Sequence, residues 1–289
     1  MLSRTSLPWC LGVGLLAFAC ANEPPTTGSD TERSKPLALV TVDRSDPATA
    51  DAQGNASAVA RFLSVPAFSD PSRTLSAAGA VLDLPAPDTC QGSDSQDGIE
   101  PAQATVELLE AGDVTLAAPG SSTPLVPHAF PTVGGFASGV LYTTRDRASD
   151  ALPSDSPYTV STTGSASVPP IRAIAEAPRV PSGIEVDRVA LGDVTEVHTG
   201  RTVELRWAPG DDTDVVYAEL LAYDGSPSVV CTFRDEAGTG AVPAEAFTGT
   251  GTGRLALHRL RTRHIDGGAA PSSEMRFDFQ VGTSVDFVK

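Results

Sequence analysis

Aromatic rings, basic side chains and cysteines are all scarce in this sequence, and each shortage closes off a class of function. Aromatic residues are 6% of 289, which weakens the case for a sugar-stacking cleft. Lys and Arg number 20 against 36 Asp and Glu, a formal net charge of -16. A field of that sign disfavours a nucleic-acid partner and electrostatic adhesion to anionic lipid. Helical periodicity is missing. The window Pro101–Glu110 could coil, but Thr105-Val106-Glu107-Leu108 alternates equally well.

Signatures of chemistry are missing too. Gly135-Phe136-Ala137-Ser138-Gly139 has the wrong spacing for a nucleophile elbow. Gly249-Thr250-Gly251-Thr252-Gly253 lacks the Lys-Ser/Thr and the helix of a phosphate loop, and reads as a flexible hairpin connection. There is no tight H-x-H or C-x-x-C pair for zinc. On a regular strand His258 and His264 would stand about 20 Å apart, so they and His128 and His198 read as surface or edge residues. These absences predict a non-enzymatic protein without a cofactor.

What is present begins at the N-terminus. One base, Arg4, precedes an uncharged apolar run from Leu7 to Ala19, which is too short to span a bilayer and has the form of a secretory signal. The run ends Leu16-Ala17-Phe18-Ala19-Cys20. A small residue followed at once by Cys resembles the lipobox of bacterial lipoproteins. In that family the Cys becomes the acylated N-terminus after cleavage, so the likeness implies lipidation of Cys20 and removal of residues 1–19. Phe18 is bulkier than the pattern prefers. Ala21 after the Cys implies, in that family, sorting to the outer membrane. Residues 20–36 are rich in Pro, Thr, Ser, Asp and Glu, cannot bury a core, and read as a disordered tether.

The remainder reads as all-β. Gly 26 and Pro 24, with abundant Val and Thr, describe short strands joined by turns. Alternation predicts strands at Leu37–Val42, Ala58–Val65, Ala80–Leu84, Ala104–Leu109, Asp113–Ala117, Ser138–Thr144, Tyr158–Thr163 and Ile171–Glu176. A Pro- and Gly-rich break at 179–183 divides an N-terminal β domain, 37–178, from a C-terminal one, 184–289. Beyond it alternation is clearer, at Val203–Trp207, Val215–Tyr223, Ser228–Arg234, Arg254–His264 and Met275–Val281. The expectation is two antiparallel β-sandwich-like domains, each strand with one face in water.

The run Leu205-Arg206-Trp207-Ala208-Pro209-Gly210, followed by a Val- and Tyr-rich strand, resembles fibronectin-type-III and related immunoglobulin-like modules over residues 184–289. That likeness implies a sandwich with a buried tryptophan. The whole chain is also similar in style to two-module β lipoproteins of Gram-negative bacteria, a likeness that implies no activity.

Three local features are candidates for sites. Removal of Cys10 and acylation of Cys20 would leave Cys90 and Cys231. They either pair, as an oxidising compartment permits, or stay as two thiols; the inward parity of Cys231 and the polar loop after Cys90 argue against pairing. Arg259, Arg261 and Arg263 alternate on one strand face. They suit a carboxylate- or phosphate-bearing partner such as an acidic polysaccharide, or else pair with Glu219, Asp224 or Asp278 on neighbouring strands. Because Leu255 and Leu257 share the arginines' parity and Leu260 does not, a bulge would switch the buried face. Asp211, Asp212 and Asp214 crowd one turn, a solvated turn or a weak calcium site without EF-hand spacing.

Together these features lead to a membrane-anchored envelope lipoprotein with a binding, adhesion or structural role. Its partners would be the lipid bilayer through Cys20 and an envelope protein or polysaccharide. The rival readings are a secreted hydrolase with a dispersed active site and a calcium-dependent adhesin.

Overall fold

The computed structural model describes residues 36–49, 51–64, 82–92, 106–133, 137–144, 147–265, 269 and 272–289. Cys20, the signal and the tether up to residue 35 lie outside the described residues, as do residues 80 and 81 of the Ala80–Leu84 window. Residues 82–84 are described and form no strand, so that expected strand is corrected, Pro85 and Pro87 leaving the segment short of ladder donors. Residues 34–289 form one compact unit.

The fold is all-β, as expected; among the described residues no α-helix interrupts the strands. The first half carries β1 (Leu37–Pro47), β2 (Asn55–Ser64), β3 (Thr89–Gly92), β4 (Val106–Leu108) and β5 (Val114–Ala118), then β6 (Ser121–Val133), β7 (Ala137–Thr143), β8 (Arg147–Ala148), β9 (Pro157–Thr162) and β10 (Arg172–Glu176). The second half carries β11 (Glu185–Val186), β12 (Val189–Ala190), β13 (Glu196–His198), β14 (Val203–Arg206) and β15 (Val215–Ala222), then β16 (Val229–Arg234), β17 (Thr239–Val242), β18 (Gly251–His264) and β19 (Glu274–Val288).

Two cores form and share one sheet. That 15-stranded sheet runs β10-β9-β5-β6-β7-β4-β2-β1-β19-β18-β15-β16-β3, with β8 beside β2 and β13 beside β19 off this path, and a 4-stranded sheet runs β12-β11-β14-β17. The seam is closed by β1 and β19, which pair in parallel from Leu39↔Glu274 to Pro47↔Gly282. Two further pairings, β13–β19 and β4–β7, are also parallel. The purely antiparallel expectation is corrected there: strands far apart in the chain meet side by side, which alternation within one strand cannot reveal. Likewise, β3 from the first half completes the edge beside β16. Residues 179–183 therefore divide neither the sheets nor the cores along the chain, since Ile265, Met275, Phe277 and Phe279 from beyond them pack in the first core.

The first core is enclosed where β6 bends the large sheet back on itself. Ala58, Ala60 and Phe62 of β2 and Met275, Phe277 and Phe279 of β19 meet Leu116, Tyr158 and Val160 from the opposing wing. The rings of Tyr158 and Phe277 lie 5.3 Å apart across it. Strand β6 holds three prolines, which hid it from sequence reading. Its first part pairs with β5 (Leu125↔Val114) and its second with β7 (Val126↔Thr143). Pro124 sits in the part paired with β5 and Pro127 in the part paired with β7, so each can turn its donorless nitrogen to the unpaired side.

The second core lies between β14 and β17 of the small sheet and β15, β16, β18 and β19 of the large one. Val203, Leu205, Trp207 and Val242 face Val216, Phe233, Leu257 and Phe287. Trp207 is buried, with its ring 5.8 Å from that of Phe233. One face of β19 serves both cores, Met275 to Phe279 the first and Val285 to Phe287 the second. The Gly249–Gly253 run is not a loose connection. Gly251–Gly253 opens β18, and a Cβ at Gly253 would meet the Leu221 carbonyl at 2.2 Å.

Candidate functional site

Cys90 and Cys231 form a disulfide across the β3–β16 pair, where they are register partners. The reading that favoured free thiols is thereby corrected. An inward position on β16 does not exclude pairing when the partner strand brings its own Cys to the same rung. That rung lies 141 residues away in sequence and left no local signal.

The arginine stripe lies on a strand without a bulge. The β18–β19 register is unbroken from Gly251↔Phe287 to His264↔Glu274. Arg259 and Arg261 therefore point inward like Leu255 and Leu257, into the seam where one core ends and the other begins. A guanidinium in that position needs a carboxylate, and it finds one in the turns rather than in Glu219, Asp224 or Asp278. Arg259 Nε lies 2.7 Å from Asp235 Oδ2, and its Nη2 donates to Asp235 Oδ1 at 2.8 Å. The same guanidinium donates to the carbonyls of Ala208, at 2.7 Å, and Arg179, at 3.3 Å. It thus ties the 179–183 segment to the second core. Trp207 Nε1 donates to the same Asp235 Oδ1, at 2.9 Å.

Arg261 is held in a fork by Asp214, Nε to Oδ1 at 2.6 Å and Nη2 to Oδ2 at 2.8 Å. These hydrogen bonds hold the guanidinium pKa above its ordinary value. Arg263, further out, donates instead to Thr213 Oγ1 at 3.0 Å. The stripe is therefore not an open basic surface for an acidic polysaccharide, because its two buried members are already neutralised.

The aspartate turn is spoken for in the same way. Asp214 is buried against Arg261, and Asp211 accepts from the backbone and hydroxyl of Thr213. Those bonds hold the Asp211 carboxyl down at about 2, while Asp212, hydrogen-bonded to it, is pushed up. Among the described residues no group of three or more His, Cys, Asp or Glu is disposed to hold a metal. The calcium reading of this turn is corrected accordingly, since its one buried carboxylate faces a guanidinium.

What the arginines do line is a cleft of about 330 Å³ between the two cores. Arg259 and Arg261 line it together with Asp214, Gly210, Asp211 and Glu176, the last at the end of β10. Its rim carries the exposed pair Arg179–Asp155, at 3.2 Å. Gly210 lies where a Cβ would come within 2.2 Å of Asp235 Oδ2 and 2.9 Å of Arg259 Cζ. Only glycine lets the turn close over the ion pair.

A second polar array, on the opposite face of the large sheet, escaped the sequence reading. His258 is buried, not a surface histidine. Its ring stacks on Tyr217 with centroids 4.2 Å apart. Its Nδ1 lies 2.9 Å from Asp278 Oδ1, and its Nε2 lies 3.8 Å from Glu219 Oε2. Tyr217 donates its hydroxyl to Asp278 Oδ2 at 2.5 Å. Burial opposes the charge on His258, but the bonds to Asp278 and Glu219 outweigh it and raise the pKa. Asp43, the register partner of Asp278, is pushed up to about 6 by lost hydration and by that neighbouring carboxylate. His128 and His264 are exposed, as expected, and His198 is half-buried.

No family model matches this chain, and no curated protein matches it.

Proposed function

We propose that this chain is a lipid-anchored protein of a bacterial cell envelope, whose β body binds a partner rather than transforming one. The observation that carries the anchor is the sequence Leu16-Ala17-Phe18-Ala19-Cys20 followed by a polar tether up to the first residue of β1. Acyl chains at Cys20, each CH₂ contributing roughly 0.8 kcal/mol on burial, would hold the body at a membrane. The Cys90–Cys231 disulfide supports an address outside the reducing cytoplasm.

The cleft supports the binding half of the reading. Its buried charges are committed to one another in pairs, which suits a rigid recognition surface better than proton transfer. The buried Trp207 supports reading residues 184–289 as an immunoglobulin-like module, built here with strands borrowed from the first half. The test is mass spectrometry of the mature protein together with fractionation of a Cys20→Ser variant. A diacylglyceryl-modified Cys20, and release of the variant from membranes, are expected. An unmodified Cys20 thiol in the mature protein would overturn the anchor.

A further inference from the structure

We infer that the cleft between the two cores binds a small zwitterion, a free amino acid or short peptide, with its carboxylate on Arg261 and its ammonium on Glu176 and Asp211. This rests on the binding reading above and names its ligand class.

The argument starts from the hydrogen-bond capacity left over in the cleft. Arg261 has five N–H donors. Nε and Nη2 are taken by Asp214 and, at 3.4 Å, by Asp211 Oδ2. Its Nη1 makes no hydrogen bond among the described residues, although the side chain is only 10% exposed and lines the cleft. Arg259 Nη1 adds a second donor, engaged only with the Arg179 carbonyl at 3.3 Å. Near these donors, Glu176, whose charge acts on Arg261, makes no hydrogen bond or close ion pair with its side chain among the described residues, and Asp211 keeps its side chain 41% exposed.

Charge then selects the ligand. An anion alone would compete with Asp214 for Arg261, and would leave a carboxylate buried without its partner. A cation alone would leave Arg261 Nη1 without an acceptor. A zwitterion has no net charge to compensate, and it gives that Nη1 a carboxylate while its ammonium meets Glu176 and the exposed edge of Asp211. Among the described residues no aromatic ring lines the cleft, and they offer no platform for the stacking that commonly holds a neutral sugar. The volume of about 330 Å³ falls at the lower end of small-ligand sites, and a junction between cores is a common place for them.

The experiment is calorimetric titration of the purified full chain with each of the twenty free L-amino acids, repeated with the N-acetylated and the amidated form of any that bind. Saturable binding is expected for at least one, weakened tenfold or more by either blocking group. Glu176→Gln should weaken it by a similar factor. Arg263→Gln, outside the cleft, should leave it unchanged. Glu176 is exposed at the end of its strand, so its variant is expected to fold, and an unchanged thermal midpoint would verify this. Binding that survives both blocking groups, binding unaffected by Glu176→Gln, or no binding by any of the twenty would overturn the inference. None of these outcomes touches the anchor, which mass spectrometry of Cys20 decides independently.

Discussion

Arg259 and Asp235 meet at 2.7 Å with their side chains 2% and 0% exposed, and the same guanidinium holds the carbonyl of Arg179. Removing one partner of such a pair strands the other in a medium that cannot solvate it. Asp235→Ala should therefore cost about 3–5 kcal/mol. Replacing both, Asp235→Leu with Arg259→Met, should cost clearly less than either single change, because no charge is left buried. Urea denaturation of the three variants measures this, and a double variant as unstable as the sum of the singles would contradict it.

The same pair shows how far sequence reading reaches. Alternation placed Arg259, Arg261 and Arg263 on one face correctly, because parity along a strand is local. It could not say that the face was inward, since β18 passes from the second core into the seam, and the seam exists only after β1 joins β19. The true partners, Asp235 and Asp214, come from turns flanking β16 and β15 and not from strand neighbours. His258 was missed for a related reason. A lone histidine between Leu257 and Arg259 gives no sign of the carboxylates that register brings beside it. Strands β14, β15, β16 and the core of β19 were legible because one face is dry and the other wet. Strand β6 was not, because prolines that would break a ladder are harmless where the strand changes partner.

Gly210 is fixed by space and not by backbone conformation. A methyl group there would press on Asp235 Oδ2 at 2.2 Å and on Arg259 Cζ at 2.9 Å, so Gly210→Ala should cost about 1–3 kcal/mol. Gly120, with φ +77 and open space around it, is the contrast, and Gly120→Ala should lose only the roughly 1 kcal/mol of a strained turn. Gly210→Ala should also weaken amino-acid binding in the cleft while Gly120→Ala leaves it alone. Thermal denaturation and calorimetric titration of both variants check this.

The disulfide joins positions 141 apart in sequence, and on the chain-entropy model such a link stabilises by about 4–5 kcal/mol. Cys90→Ser with Cys231→Ser should lower the denaturation midpoint and abolish its sensitivity to a dithiol reductant. Hydrogen exchange should then rise first in Thr89–Gly92, since β3 is held to the sheet by β16 alone among the described residues. Equal midpoints with and without reductant in the unaltered protein would argue against this role.

The array around His258 makes stability fall as pH rises above the acid range. His258 faces Tyr217 and Glu219 on β15 and Asp278 on β19, with Arg254 close to Glu219; beyond Asp278, Asp43 on β1 is flanked by Arg61 and Arg276. A histidine whose folded pKa exceeds its unfolded value binds its proton more tightly when folded. Its contribution is therefore full below about pH 6.5 and is lost as the pH climbs through the folded pKa. Asp43, raised from 3.8 to about 6, acts in the same direction at lower pH: what it adds is present below 3.8 and gone above 6. Asp43 keeps an exposed edge, so solvent screening holds its share below about 1 kcal/mol. Between pH 5 and 9 the thermal midpoint should decline, with His258→Gln flattening the limb above 6.5. Asp43→Asn should flatten the limb below 6 and raise the midpoint at pH 8. A midpoint that climbs from pH 6 to 8 in the unaltered protein would show that His258 is not held as a cation between its two carboxylates.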